Sequence, residues 1–140
     1  MEGIRKAAVI GAGTMGAAIA AQFANAGVPV LLLDVVPEGA KNAIAKMLKT
    51  EPAPFMSTRA AKLVTPGNIA DDLPQLASCD WVVEAIIERL DVKQELYRKI
   101  DAIRRPGTAV SSNTSTIPLA KLTEGMPERF KRDFLITHFF

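Results

Sequence analysis

The sequence predicts an α/β domain built on a doubly wound, mostly parallel sheet with helices on both faces. Three observations carry this. Short apolar runs alternate with helix-like stretches along the chain. Several of those runs are apolar throughout, as strands buried on both faces should be. The first run also leads into a G-x-G-x-x-G turn, with Gly11, Gly13 and Gly16, that opens a helix.

Residues 6–10 read as the first strand. Residues 14–26 are rich in Ala and carry Ile19, Gln22 and Phe23, a helix that Gly27 ends. Residues 28–33 form a second apolar strand, with Pro29 tolerable near its start. Strand, helix and parallel strand thus fit in about thirty residues, a βαβ unit. Pro37 suits a helix start, and 38–49 follows as helix with Ile44, Met47 and Leu48 on one face. "EPAPF" breaks it, and 57–63 reads as a turn or two of helix with Arg59 and Lys62 outward.

Residues 64–76 read as loop, with a short strand at 68–70. Residues 81–87 are the next buried strand. Residues 91–104 form an amphipathic helix striped by Val92, Leu96, Ile100 and Ile103, ended by "RRPG". A strand at 108–111, the polar loop "SSNTSTIP" and a short helix at 118–122 follow. The last strand, 134–140, holds the one histidine.

The 140 residues have the length of one domain, 1–140, with enough chain for a core. The net charge of +2 is small and scattered, which argues against a nucleic-acid or membrane surface. No stretch reaches the roughly 18 apolar residues of a membrane span. The N-terminal 24 residues have the loose look of a secretory leader, but three glycines at fixed spacing break the apolar run, so they read as part of the fold. Cys79 is the lone cysteine and His138 the lone histidine, which argues against a disulfide framework or a metal site. Cys79 reads as a small buried hydrophobe in a reducing, cytoplasmic protein.

The glycine turn has a specific chemistry. Gly11 allows the turn, Gly13 lets backbone approach a pyrophosphate, and Gly16 lets the helix pack on the strand. The helix start, Thr14 and Met15, then directs free N–H groups and the positive dipole end at the phosphates. Asp34 closes the second strand 18 residues after Gly16. Its carboxylate can accept from a ribose 2′-OH and would repel a 2′-phosphate. No Lys or Arg follows until Lys41, so NAD is favoured over NADP. A flavin site uses the same turn and stays open as an alternative.

Three later features extend the site. In "VVEAIIERLDVKQEL", Glu84 and Glu88 flank a strand's C-terminal end and Lys93 enters a helix start, where a cation is disfavoured. Solvated charges would explain these as well. "SSNTSTIP" crowds Ser112, Asn113, Thr114 and Ser115 at another strand end, although such clusters also cap turns. His138 in "FLITHFF" has a side chain suited to acid–base work near neutrality, although a lone histidine among apolar residues is more often structural.

Together, "AVIGAGTMGAAIAAQFANAGVPVLLLD", "VVEAIIERLDVKQELYRKID", "SSNTSTIPLAKL" and "FLITHFF" closely resemble, in that order, the NAD-binding domain of L-3-hydroxyacyl-CoA dehydrogenases. The resemblance is strongest to the bacterial fatty-acid oxidation type, covers nearly the whole chain and is weakest over 41–75. It implies a Rossmann-type domain and oxidation of L-3-hydroxyacyl-CoA to 3-ketoacyl-CoA with hydride passing to NAD. By the same resemblance Asp34 binds the adenosine ribose and Met15 touches the cofactor, with Glu88 and Lys93 beside it. Ser115 lies near the nicotinamide and the substrate oxygen, and His138 is the general base. CoA contacts would fall near Ser57 to Lys62.

In the family, "HFF" is followed by an Asn-Pro pair, by a glutamate that pairs with the histidine, and by a helical domain that supplies the acyl pocket and the dimer interface. The 140 residues hold none of these. The expectation is therefore a piece of a homo-oligomeric dehydrogenase that binds NAD(H) with little turnover by itself. A freestanding NAD(H)-sensing module, a structural descendant without chemistry, and a relative acting on another hydroxy acid are the alternatives.

Overall fold

The computed structural model describes residues 3–50 and 53–139. The first half runs β1 (Ala7–Ile10), α1 (Thr14–Asn25), β2 (Val30–Asp34), α2 (Gly39–Lys49), α3 (Thr58–Ala61) and β3 (Val64–Asn68). Then come α4 (Ile69–Asp72), a 3₁₀ segment (Leu73–Ser78), β4 (Trp81–Glu84), α5 (Leu90–Ile103), β5 (Ala109–Ser112), α6 (Leu119–Leu122), α7 (Glu128–Asp133) and β6 (Phe134–Ile136). The six strands form one sheet in the order β3-β2-β1-β4-β5-β6. Every pairing is parallel, with Val9 opposite Leu32 on one side and Val83 on the other.

Alternation along the strands divides the core in two. Ala7, Val9, Val30, Leu32 and Val83 pack with α1 and α2 on one face. Ala8, Ile10, Leu31, Leu33, Val82 and Val110 pack on the other with α5, α6, α7 and the 3₁₀ segment. Each face buries aliphatic side chains completely, worth about 1.5–3 kcal/mol apiece. Arg104 ties the second layer together: its guanidinium binds Asp101 at 3.1 Å, Asp133 at 2.8 Å and the Thr108 carbonyl at 2.9 Å, and lies over the Phe130 ring. No helix among the described residues is long and apolar enough to cross a membrane.

Strand order reverses between β1 and β4. Chain leaving β1 crosses on one face and chain leaving β4 on the other, which opens a crevice at their C-terminal ends.

Several predicted bounds shift. The strand expected at 68–70 is instead Val64–Asn68, and 69–72 is helical. Pro66 and Gly67 hid it; a proline is tolerated there because β3 is the sheet edge. The last strand ends at Ile136, so His138 lies in the segment beyond it, and Phe140 lies outside the described residues. The strand begun at Trp81 stops at Glu84 rather than 87. Residues 51 and 52 of the predicted helix break also lie outside the described residues.

Candidate functional site

The crevice begins at the glycine loop, and its three glycines do different work. Gly11 has φ +111°, a left-handed conformation, and a side chain there would strike the Ala85 backbone. A Cβ on Gly16 would run into the Gly11 carbonyl, so α1 can lie against β1 only with glycine at that position. Gly13 differs from both. Its φ of −69° and ψ of −174° suit any residue, and a Cβ there would meet nothing within 4 Å. Neither conformation nor packing within the chain requires glycine at 13. The room it leaves lies before the N-terminus of α1, a 12-residue helix with no side-chain cap. Uncapped N–H groups, the positive dipole end and open space fit a phosphate group. Thr14 and Met15 are exposed in the first turn.

Asp34 is held in place from two sides. Its Oδ1 accepts from the Ala12 N–H at 3.3 Å, and Gly39 packs so closely that a Cβ there would collide with the carboxylate. Gly39 is a site residue that periodicity could not reveal. Gly11, Gly13 and Asp34 together line a cleft of about 590 Å³. Val35 and Ile87, exposed at 72% and 60%, and Ile69 provide apolar margin, which suits a flat heterocycle with its ribose at Asp34. A second cleft of about 470 Å³ opens on the α1–α2 side of the same loop, with Asn42, Lys46 and Met47 in its lining.

On the β4–β5 side the structure joins three charges. Lys93 Nζ sits 2.5 Å from Glu84 Oε2 and 3.0 Å from Glu88 Oε1. Glu84 and Lys93 are 0% and 1% exposed, so solvated charge does not describe them. The cation at a helix start is explained by its two carboxylate partners. Glu84 also accepts from Tyr97 Oη, from Ser112 Oγ at 2.7 Å and from the Ile86 N–H at 3.0 Å. Burial, then the Glu84 charge, pushes the Tyr97 phenol up, so it remains a donor. Glu88 accepts from Thr114 at 2.6 Å and Thr116 at 2.9 Å. Partial burial pushes the Glu88 carboxyl up, but the bonds from Thr114, Lys93 and Thr116 outweigh this and lower it to about 2.

Ser115 and His138 are exposed on the segments that follow β5 and β6, which are adjacent strands. The residues flanking His138 are anchored to the β5 end. The Thr137 N–H donates to the Ser112 carbonyl at 3.0 Å, and the Phe139 N–H to Asn113 Oδ1 at 3.2 Å. Phe139 also packs on Trp81, with ring centroids 6.3 Å apart. Asn113, Thr114, Thr116 and Tyr97 take roles that sequence reasoning left unassigned; Tyr97, four residues from Lys93 on one helix, was the readable signal.

Residues 6–140 match the family model described as 3-hydroxyacyl-CoA dehydrogenase, NAD binding domain. The chain belongs to this family. It is similar to a probable 3-hydroxyacyl-CoA dehydrogenase of Deinococcus radiodurans, 51% identical over 98% of this chain and 42% of that protein. A probable 3-hydroxyacyl-CoA dehydrogenase of Bacillus subtilis is 42% identical over 98% of this chain and 20% of that protein. The crystal structure of 3-hydroxybutyryl-CoA dehydrogenase from Escherichia coli superposes with a TM-score of 0.84 at 31% identity, over 99% of this chain and 30% of that one. This chain therefore spans less than half the length of each of these three relatives.

Two outcomes follow for this NAD-binding domain. Gly13→Ala should leave the urea unfolding midpoint unchanged or slightly raised, yet weaken NADH binding roughly tenfold or more. Gly16→Ala should destabilise the fold by roughly 3 kcal/mol. Equal loss of stability in both would remove the argument from Gly13.

Glu88 sets an acid dependence. Its folded pKa lies below the ordinary value, so the stability it contributes is present above about pH 4.5 and is lost as pH falls towards 2. Wild type should exceed Glu88→Gln in chemical-denaturation stability by a constant margin at neutral pH. That margin should shrink below about pH 4.5.

Proposed function

We propose that the chain holds NAD(H) across the crevice and supplies the hydride-transfer face of an L-3-hydroxyacyl-CoA dehydrogenase of fatty-acid oxidation. The observation that carries the reading is the empty space at Gly13, before an uncapped helix and beside the fixed carboxylate of Asp34. Asp34 receives the adenosine ribose hydroxyls, and the N–H groups of the loop and of the α1 start receive the pyrophosphate. The nicotinamide half then falls on the β4–β5 side, where Glu88 and Ser115 lie. Residues 6–140, which match the family model, belong to one NAD-binding domain.

The glycine loop, Asp34 and Glu88 would hold NAD, which would supply a hydride acceptor for oxidation at the substrate C3. His138 takes the proton of the C3 hydroxyl as general base, and the Ser115 hydroxyl donates to the same oxygen and keeps it oriented. The CoA portion lies on the α2–α3 side, where Lys46 lines the second cleft and Arg59 and Lys62 are exposed cations. The substrate is thus an acyl-CoA, and neither nucleic acid nor membrane is a partner. The whole protein is a homo-oligomer in the cytoplasm, a reducing setting that suits the buried free thiol of Cys79.

Fluorescence titration tests the cofactor reading. NADH should bind roughly tenfold or more tightly than NADPH, and Asp34→Ala should bring the two affinities together by weakening NADH. NADPH binding as tight as NADH in the wild type would remove the role of Asp34.

The chemistry is read separately, in protein that oxidises NADH with acetoacetyl-CoA. There His138→Gln should lower kcat roughly 10²–10⁴-fold and leave NADH affinity unchanged. Undiminished turnover would exclude His138 as the base.

A further inference from the structure

Lys93 is 1% exposed, and its ammonium is held between two neighbouring carboxylates. Of those neighbours Glu84 is fully buried, whereas Glu88 is 41% exposed. Two of the three contacts that fix Glu88, those from Lys93 and Thr114, lead back to Glu84, while the third comes from the Thr116 hydroxyl at 2.9 Å. One is direct: Glu84 holds Lys93, and Lys93 holds Glu88 Oε1 at 3.0 Å. The other runs through β5. Ser112 Oγ donates to Glu84 and accepts from the Thr114 N–H at 3.2 Å, while the Thr114 hydroxyl donates to Glu88 Oε2 at 2.6 Å.

Three donors meet Glu88, and a carboxylate has about four acceptor positions. One position therefore remains for a hydroxyl from outside the chain. A Glu84–Lys93 pair would already be neutral. Adding Glu88 leaves the cluster with one net negative charge at the rim of the crevice, a cost that folding alone does not require.

We propose that Glu84 is a positioning residue for the nicotinamide half of the site: from inside the sheet it holds Lys93 and the 112–114 turn so that Glu88 presents its remaining acceptor position to the ribose there. The inference rests on the NAD reading above. It adds a division of the site into two independently held halves, with Asp34 fixed by Ala12 and Gly39, and Glu88 fixed by Glu84.

That division gives a test a purely structural role would not pass. NADH engages both halves, whereas ADP engages only the adenine half. In Glu84→Gln, NADH affinity measured by fluorescence should fall roughly tenfold, while ADP affinity measured by calorimetry stays within about twofold of wild type. Because Glu84→Gln leaves Lys93 with one carboxylate in a buried site, the double variant E84Q/K93M, which removes both buried charges, is measured alongside it. It should show the same selective loss.

NADH affinity within about twofold of wild type in a folded variant overturns the proposal. Parallel loss of NADH and ADP also overturns it, by assigning Glu84 to the fold at large. Failure of both variants to fold does the same. Absence of NADH binding by the wild type is a separate result: it sinks the NAD reading itself, and this inference with it.

Discussion

A fully buried carboxylate has to be answered by donors, and the donors that answer Glu84 come from the turn after β4, from α5 and from β5. The Ile86 backbone, Lys93 and Tyr97 of α5, and Ser112 of β5 all converge on its two oxygens. Burying a charge without such partners costs several kcal/mol, so none of these elements can move without the others. The site inherits this rigidity. The turn after β4, the first turns of α5 and the loop after β5 are joined through one side chain, and the segment carrying His138 is pinned in turn to Ser112 and Asn113.

The glycine-loop side of the crevice is organised differently, by absent side chains rather than by buried charge. Gly16 lets α1 approach the Gly11 carbonyl, and Gly39 lets α2 close on Asp34. Those contacts fix the loop and the carboxylate without a polar network. The two halves thus meet at a common crevice but are stabilised by unrelated means, and a substitution in one need not disturb the other.

Legibility in the sequence followed the range of the interactions. The βαβ start, the glycine spacing and Asp34 are local patterns, and the structure puts all of them in one crevice. α5 was readable from its apolar stripe, within a residue at each end. β3 was displaced because Pro66 and Gly67 argue locally for a turn, and only its edge position in the finished sheet makes them tolerable. α7 has six residues, too few for periodicity to declare itself, and owes its place to Phe130 packing on Tyr97 and Phe134. The burial of Glu84 and Lys93 was the least readable feature. A charged residue in a sequence reads as exposed until its partners are located, and here one partner comes from β5, 28 residues away.

The charges around the crevice decide what kind of ligand it reads. Acids stand at both ends, Asp34 on the β2 side and the net negative Glu84–Lys93–Glu88 cluster on the β4 side. Lys99, on the margin of the larger cleft, is paired with Glu95 at 3.6 Å. The glycine loop itself has no lysine or arginine, so what the loop offers a pyrophosphate on the proposed reading is backbone N–H groups and the α1 dipole. A site that attracted phosphate by side-chain charge would accept an additional phosphate readily. Here Gly13 leaves room before α1, and acids stand on the β2 and β4 sides of that space. Carboxylates accept from hydroxyls and repel anions. On the proposed NAD reading, discrimination against a 2′-phosphate would therefore draw on both acidic ends of the crevice, with Asp34 at the β2 end.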